Sequence, residues 1–366
     1  MKVKFRNNDR EDFYSDLKTR VEAYFRKKGI SPYANFEMVF KTFFFFTTWA
    51  VSYILIITGF FEVHIMLLLV CILGFTTACL GFNVAHDATH GSYSARQYVN
   101  KILSYTFNLV GANNYIWSIM HNIVHHTYTN IPGHDEDLNL FPLIRLSPEK
   151  KLFKIHRYQH WYAFFFYCFT SLSWVFFKDY KKFFQKRIGN YNNKKHPARE
   201  YFILFISKAV YYFLFILLPV LFLNLPWWTI LTGFFIMHMV EGITLAVVFQ
   251  LAHTVEGPEF PTPTQDGSIE NGWVIHQLKT TANFARKSFL VNFFAGGLNF
   301  QIEHHIFPKI CHIHYKAISD IVKKTTEEYK LPYIENRTFI EAIVSHVRLL
   351  KRLGRYNGET QIQKLH

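Results

Sequence analysis

Histidines in this sequence are grouped at spacings that suit metal binding. The chain has 19 histidines, and most of the informative ones fall into a first group (His86, His90), a second group (His121, His125, His126) and a third group (His304, His305), with His253 standing alone. Residues four apart on a helix share one face, about 5–6 Å apart, so the first two groups can each aim two imidazoles at one centre. The adjacent His126 or His305 is rotated by about 100°, which suits a second metal beside the first.

The number of these ligands favours two irons over zinc. Imidazole binds zinc, copper, iron and nickel, so ligand type alone does not name the metal. A structural zinc site is complete with four ligands that usually include cysteine, and the four cysteines here are scattered without a CxxC pair. That scatter also predicts neither a disulfide framework nor an iron–sulfur site. Two irons with nitrogen ligands, left partly open for dioxygen, fit the ligand count better.

The elements that position these groups are predicted to be membrane helices. The chain is 50% hydrophobic and 19% aromatic, and only 18% of its residues are charged. The charged residues fall in blocks between long apolar stretches, which is typical of membrane spans with solvated loops. The net charge of +14 therefore indicates membrane flanks and anionic lipid and not nucleic acid, because the basic residues surround apolar segments. No cleaved signal peptide is expected, since the N-terminus has no apolar core region.

Four segments are each long enough to cross about 30 Å of hydrocarbon: residues 39–61, 63–84, 201–223 and 227–250. They pair into two hairpins. No Lys or Arg lies between Lys41 and Arg96, and only Lys208 lies between Arg199 and Lys279, whereas the loop from Lys178 to Arg199 carries eight basic residues. By the positive-inside rule the hairpin tips face outward, and both termini and all the histidine groups face the cytosol.

The remaining segments predict helices outside the bilayer. Residues 161–177 are apolar enough to span, but a fifth crossing would put the histidine groups on opposite faces, so we interpret them as an interfacial helix. An amphipathic helix is predicted near each end of the chain. The apolar face of the N-terminal helix carries Phe13, Leu17, Val21 and Tyr24, and that of the C-terminal helix carries Ile340, Ile343, Val347 and Leu350. The fold class is thus an all-α integral membrane protein, with a cytosolic helical cap holding the metals. Its predicted parts are 1–38 (N-terminal helix), 39–315 (catalytic unit) and 316–366 (C-terminal tail).

The motifs resemble those of the membrane fatty acid desaturases, whose hallmark is three boxes of the form HxxxH, HxxxHH or HxxHH, and HxxHH or QxxHH. Residues that flank the boxes also match. Around the second group these are Trp117, Thr129-Asn130 and the run from His134 to Leu138. Around the third group they are Gly297-Leu298-Asn299-Phe300, Phe307-Pro308 and Cys311-His312-Ile313-His314. The resemblance covers about residues 39–315. Gln301 at the start of the third box is similar to the front-end and linoleoyl-type subgroup.

The resemblance implies a site and a reaction. The implied metal ligands are His86, His90, His121, His125, His126, His253, His304 and His305. Gln301 is a candidate for a ninth position, as a weak ligand or through water. The implied cofactors are two iron ions, with dioxygen as co-substrate, and the implied reaction introduces a cis double bond into a fatty acyl chain carried on CoA or a lipid. Unactivated C–H bonds require such an oxidant, because acid–base side chains cannot supply one.

Other polar residues have candidate supporting roles. Carboxylates that orient metal-bound imidazoles accept the second ring N–H, and the candidates are Asp87, Asp135, Asp137 and Glu303. Trp117, His238 and Glu241 are candidates for an acyl tunnel, and for the last two the alternative is a hydrogen bond between packed helices. His134 is a candidate substitute ligand, and His156, His160 and His276 have no assigned role.

The electrons must come from a separate protein, since the sequence has no HPGG haem motif, no iron–sulfur cysteine set and no GxGxxG fingerprint. The expected donor is a ferredoxin, or cytochrome b5, with an NAD(P)H reductase, and the basic surface suits an acidic partner. A chain without a fused donor favours a bacterial cell membrane over endoplasmic reticulum.

Two alternatives stay open. A lipid hydroxylase or carotenoid ketolase can use the same scaffold, and box spacing separates these poorly. A non-enzymatic membrane haem protein or metal transporter would place its ligands within the bilayer, whereas the histidines here gather at one end of the predicted spans.

Overall fold

Four long apolar helices dominate the computed structural model, which describes residues 3–6, 11–139 and 141–356. Each is long and apolar enough to cross a membrane. We name them span 1 (Phe36–Ile57), span 2 (Val63–His90), span 3 (Ala198–Phe222) and span 4 (Trp227–His253). The four predicted spans are therefore present. Residues 1–2 and 7–10 of the predicted N-terminal part and 357–366 of the predicted tail lie outside the described residues.

The ends of the spans differ from the prediction most at the histidines. Span 2 was predicted to end at residue 84, but the helix continues to His90 through one π-helical turn, Gly81–Ala85. Span 4 likewise continues to His253. The first histidine group is helical, as its spacing predicts, and it continues the span helix without a break. His86 and His253 are both largely buried. These two extensions carry histidines from the spans into the site.

The spans pack around a shared apolar core. Phe45 and Trp49 of span 1, Leu73 of span 2, Phe215 of span 3 and Met237 of span 4 belong to one buried cluster. Spans 2 and 4 approach closely at Gly74, where a Cβ atom would collide with the backbone carbonyl of Met237. A small residue allows this close packing, which membrane helices use in place of a hydrophobic driving force. The arrangement fixes the histidine-bearing ends of both spans beside each other.

A buried ion pair joins span 3 to the loop segments. Lys208 Nζ lies 2.7 Å from Asp179 Oδ2 and donates to the carbonyl oxygens of Gly111 (2.6 Å) and Val175 (3.1 Å). Both charged side chains are almost fully buried. Lys208, the one basic residue of the predicted second hairpin, is therefore neutralised inside the protein.

The apolar stretch at 161–177 does not form a single long helix. It is divided between Gln159–Tyr167, Thr170–Ser173 and the π-helical Trp174–Lys178, with a break at Cys168 and Phe169. The first of these helices is about 14 Å long at 1.5 Å per residue, which is too short to cross a bilayer. Trp161 and Phe165 on its outer side are exposed.

The two terminal helices pack on the rest of the protein. In the N-terminal helix, Glu11–Lys28, the predicted apolar face is buried at Phe13, Leu17 and Val21 against the helix Tyr315–Glu328. The C-terminal helix, Phe339–Leu353, is also present. Its predicted apolar face is wrong at Ile340, which is 69% exposed. The helix buries a face that includes His346, because this imidazole accepts from Tyr167 Oη (2.9 Å) and donates to the Thr254 carbonyl.

The remaining elements are short. The other α-helices are Gln97–Ser104, Thr106–Leu109, Asn114–Ser118, His126–Tyr128, Asp179–Phe184, Trp273–Thr280, Phe289–Phe294 and Gln301–Ile306. Two further π-helical segments are Ile119–His125 and Phe213–Leu217, and the 3₁₀ helices are Glu136–Asn139, Lys154–Tyr158 and His312–His314. Two-residue strands pair Lys4–Phe5 with Ser268–Ile269 and Asn283–Phe284 with Glu335–Asn336 in parallel, and Arg187–Ile188 with Tyr191–Asn192 in antiparallel.

Candidate metal centre

The second histidine group lies on a π-helical segment, Ile119–His125, in which the backbone N–H of His126 bonds to the carbonyl of His121 five residues earlier. A π-helix has i→i+5 hydrogen bonds, so residues four and five positions apart both stay close to the face of the first. His125 and His126 therefore flank His121. This local winding gives the HxxxHH spacing a common direction.

All three groups and His253 converge in one buried region. Nε2 of His121 lies 3.2 Å from Nε2 of His86 and also 3.2 Å from Nε2 of His126. Within each of three sets, the potential ligand atoms lie within 4.8 Å of one another. The sets are His86, His90, His121 and His304; His125, His253 and His305; and His126, His304 and His305. Two clusters that share a border are thus formed, which is the arrangement expected for two neighbouring metals.

The imidazoles outside the spans are mostly held neutral. Burial, followed by the neighbouring histidines, keeps the pKa of His121, His126, His304 and His305 well below the usual value. A neutral imidazole has a free lone pair, which a metal needs. His125 is different, because Asp135 outweighs the effect of burial and raises the pKa of His125.

Several ring nitrogens are oriented by a hydrogen bond on the side away from the cluster. His125 Nδ1 lies 3.0 Å from Asp135 Oδ2, and His305 Nδ1 lies 2.8 Å from Gln277 Oε1. His304 Nδ1 lies 3.2 Å from Tyr315 Oη, and His253 Nδ1 lies 3.2 Å from the Thr280 carbonyl oxygen. Proton donation from Nδ1 leaves Nε2 as the free ligand atom, as in most protein metal sites.

Several ring nitrogens of the clustered histidines have no hydrogen-bond partner among the residues that the structure describes. Within the described part of the chain, Nε2 of His90, His304 and His305 is buried without a hydrogen-bond partner. Nδ1 of His86 and of His126 also lacks a partner there, while Nε2 of both rings faces His121. Leaving one such buried group unsatisfied costs about 1–3 kcal/mol. Converging lone pairs on neutral rings repel one another and are relieved by a cation. The residues therefore fit bound metal, and an all-imidazole set suits iron among other transition metals.

Comparison with known proteins agrees with this geometry. The fatty acid desaturase family model matches residues 62–337. The chain belongs to this family. It is 36% identical over 350 residues to an sn-1 linoleoyl-lipid 6-desaturase of Arthrospira platensis, covering 95% of this chain and 94% of that protein. It is 35% identical over 363 residues to the protein of the same name from Synechocystis sp. (97% and 98% covered).

A further relative is the acyl-lipid (8-3)-desaturase of Physcomitrium patens, 33% identical over 354 residues, with 96% of this chain and 74% of the relative covered. The predicted resemblance and the predicted enzyme class are thereby confirmed. The protein is a multi-pass membrane fatty acyl desaturase, an oxidoreductase that acts on acyl lipids.

The four candidate supporting carboxylates of the desaturase have different surroundings. Asp135 contacts His125 directly, and Asp137 lies 3.6 Å from the same nitrogen and 3.8 Å from Lys178 Nζ. Asp87 Oδ2 accepts from His312 Nδ1 (2.9 Å), whereas Asp87 Oδ1 is 3.8 Å from His86 Nδ1. Glu303 is turned to Asn283 and Tyr333, which both donate to its carboxylate, and burial raises its pKa to about 7. The geometry thus favours Asp135 for orienting a ligand.

Gln301 is placed beside the second cluster. Its side chain makes a hydrogen bond to His253, and only 2% of its surface is exposed. The amide therefore lies next to an imidazole of the second cluster.

A narrow apolar cavity of about 510 Å³ begins at His86 and continues between spans 2 and 4. Trp117 forms its wall and stacks on the His121 ring at 4.3 Å. Glu241 also lines it, and His238 Nδ1 lies 3.2 Å from Glu241 Oε2. His238 further contacts Ser171 Oγ (2.9 Å) and Tyr211 Oη (3.0 Å). Glu241 therefore lines the cavity, whereas His238 is held by hydrogen bonds to neighbouring helices. We name this space the inner cavity.

A second cavity of about 480 Å³ lies on the other side of Trp117. His121 is at its inner end, and Asp137 and Lys178 are among its polar lining residues. Lys178 Nζ lies 4.5 Å from the centre of the Trp174 ring, which lines both cavities. We name this space the polar cavity.

The four other histidines singled out in the sequence, His134, His156, His160 and His276, lie outside the clusters found among the described residues. The His134 ring packs near Tyr128 at 5.8 Å, which does not support a substitute ligand. His156 Nδ1 accepts from the Phe153 backbone N–H, His160 packs on Trp161 and His276 packs on Phe5.

Sequence reasoning missed several residues that position the site. Gln277, Thr280 and Tyr315 each hold a ring nitrogen, and Lys41 Nζ lies 2.7 Å from His312 Nε2 at the far side of Asp87. A signal existed for His312, which belongs to a matching motif, whereas Lys41 served only to mark where the stretch without Lys or Arg begins. Gln277 and Thr280 lie on an ordinary amphipathic helix without a distinguishing pattern.

Proposed function

We propose that this desaturase holds two iron ions in the clustered histidines. His86, His90, His121 and His304 form one site, His125, His253 and His305 form the other, and His126 lies between them. The support is the convergence of buried imidazoles, of which His90, His304 and His305 have an Nε2 atom without a partner within the described chain. When bound, the irons supply the oxidising power, drawn from dioxygen and two external electrons, that breaks unactivated C–H bonds. The side-chain amide of Gln301 lies at the edge of the second site and hydrogen-bonds to His253.

The residues around the clusters keep this chemistry controlled. Asp135, Gln277 and Tyr315 fix the direction of His125, His305 and His304, so that little reorganisation accompanies metal binding. Trp117 shields His121 from the inner cavity. A dry apolar surround strengthens electrostatic interactions within the site and limits side reactions with water.

The acyl chain lies in the inner cavity. Its lining is almost entirely apolar, as is usual for sites that hold apolar ligands. Phe107 and Val110 line it between His86 and Glu241, so a methylene chain is in contact with apolar side chains along this path. His86 at one end places one iron beside the chain.

The substrate is a linoleoyl chain on a membrane lipid, which gains a cis double bond between its existing double bonds and the carboxyl end. The support is that two relatives matching nearly the whole chain are sn-1 linoleoyl-lipid 6-desaturases. A separate ferredoxin or cytochrome delivers the electrons. The spans form two hairpins, with the metal centre and both termini on the cytosolic side of a bacterial cell membrane, as the distribution of Lys and Arg indicates.

Product analysis tests the function. The full chain is expressed in cells that contain linoleoyl lipids and lack this activity, and the lipids are analysed by mass spectrometry with localisation of the double bond. Desaturation lowers the acyl mass by about 2 Da, whereas a hydroxylase would raise it by about 16 Da, because the same oxidising equivalents are used differently. A His125→Ala variant should insert normally and give no product. Hydroxylated product, or product from this variant, contradicts the proposal.

A further inference from the structure

An apolar groove opens on the outer side of spans 2 and 4. Its volume is about 1000 Å³. Two walls come from the spans, at Phe75 and at Val247. The other walls come from the short helix Phe289–Phe294 and from Phe339 and Ile343 of the C-terminal helix. We name it the lateral groove.

The lateral groove and the inner cavity share one wall residue, Phe82. Phe82 is 2% exposed and packs edge-on against Phe249, at 5.8 Å between ring centres. It lies in the π-helical turn Gly81–Ala85, four residues before His86. A local irregularity of this kind is common at functional positions of helices. Phe82 therefore lies between the lateral groove and the inner cavity, where the acyl chain is proposed to bind.

The depth of the groove matches the boundary of the hydrocarbon layer. Phe82 and Val247 lie near the ends of spans 2 and 4 that carry His90 and His253. Around the mouth, Phe289 is 72% exposed and Leu290 is 64% exposed, and both lie outside the spans. Exposed apolar groups next to membrane helices indicate contact with lipid. Ester groups of membrane lipids lie at this depth, with their acyl chains beside the spans.

We propose that the lateral groove admits the acyl chain of an intact membrane lipid, which passes Phe82 into the inner cavity while the polar headgroup stays at the membrane surface. This inference rests on the proposed function and adds its route of access. The polar cavity, with Asp137 and Lys178, is the competing route, and it would suit a water-soluble acyl carrier. The groove is favoured because it is apolar and faces the bilayer.

The test follows arrival of the chain in the inner cavity independently of turnover. The photoreactive residue p-benzoylphenylalanine replaces Phe107, which lines that cavity, in the full chain carrying the inactivating change His125→Ala. The protein is placed in phosphatidylglycerol vesicles containing a small fraction of lipid with an alkyne-tagged linoleoyl chain. Illumination then attaches the tag where the chain reaches position 107.

Two groove-filling variants are compared with one control. Val247→Trp and Ile343→Trp add bulk to opposite walls of the lateral groove, and Val220→Trp adds the same bulk on an exposed side of span 3. Labelling at position 107 should fall at least about fivefold in each groove variant, since the passing chain meets an overpacked wall. It should stay within about twofold in the control. The two groove variants lie on different helices, so a shared loss of labelling is not explained by misfolding of one of them. Both are also checked to be monodisperse and inserted in the vesicles.

Unchanged labelling in an inserted groove variant overturns the proposal and points to the polar cavity as the route. An equal loss in Val220→Trp also overturns it, since the effect would not be specific to the groove. In the otherwise active protein, the groove variants should lower desaturation of the same vesicle lipid by a similar factor. Failure of the proposed function would appear differently, as absence of desaturated product from the unmodified chain.

Discussion

Replacing Asp135 by Asn should weaken iron binding without unfolding the protein. The Asp135 carboxylate accepts from His125 Nδ1 at 3.0 and 3.2 Å, from the Asn130 backbone N–H at 2.9 Å and from the Asp137 backbone N–H at 3.0 Å. Burial opposes its ionisation, but His125 and the two backbone donors outweigh burial and lower the pKa of Asp135. An amide has one acceptor oxygen, and its NH₂ group would face one of these donors. One hydrogen bond is lost and His125 loses its orientation.

The expected magnitude follows from that lost contact. A missing hydrogen bond to a buried charged group costs about 1.5–3 kcal/mol, which agrees with a loss of about 10–100-fold in metal affinity when a supporting partner is removed. Iron retained by the purified protein is measured by elemental analysis across a series of chelator concentrations. The matched control is Glu136→Gln, because Glu136 pairs with Lys182 and does not contact His125. Unchanged affinity in Asp135→Asn, or an equal loss in Glu136→Gln, would refute the reasoning.

Three further predictions follow from other contacts. Gln277→Leu removes the hydrogen-bond acceptor at His305 Nδ1. It should lower iron affinity by about tenfold in the same chelator series. An unchanged iron affinity would show that Gln277 does not orient His305. Lys208→Met leaves Asp179 buried without its ion pair and should destabilise the protein by about 3–5 kcal/mol, measured by thermal unfolding in detergent; an unchanged midpoint contradicts it. Burial lowers the pKa of His346 to about 4, so the folded protein disfavours the protonated imidazole. The free energy of unfolding should therefore be highest above about pH 6.5 and fall by about 3 kcal/mol in total as the pH is lowered towards 4. Hydrogen exchange of the C-terminal helix at pH 7 and pH 5 should show this weakening, and His346→Gln, which keeps polar contacts but does not titrate, should reduce it.

The broad architecture could be predicted because it depends on local composition. Span length and apolarity follow from the thickness of a bilayer, and the four spans begin within about three residues of their predicted positions. The family could be predicted because the histidine spacings and flanking motifs are specific. The rotation of the C-terminal helix could not be predicted. Ile340 is exposed, and His346 is buried through contacts with Tyr167 and Thr254, which are distant in sequence.

Residues that orient the ligands were predicted only in part. Asp135 follows the second group closely in sequence, so a turn of the chain could be expected to bring it back to His125. Gln277 meets His305 across 28 positions, and Asp87 meets His312 across 225 positions. Such pairings depend on how the spans dock, and neither hydropathy nor spacing encodes that docking.

The π-helical turns explain why helical spacing alone described the metal centre incompletely. On a regular helix, His126 would point about 100° away from His125, which suggested that each served a different metal from a different face. In the π-helical segment Ile119–His125, both flank His121, and His126 comes within 3.2 Å of it. A second π-helical turn precedes His86 and carries Phe82. The same kind of backbone irregularity thus brings the histidines together at one segment and places Phe82 between the inner cavity and the lateral groove at the other. A regular helix at either segment would turn these side chains in other directions.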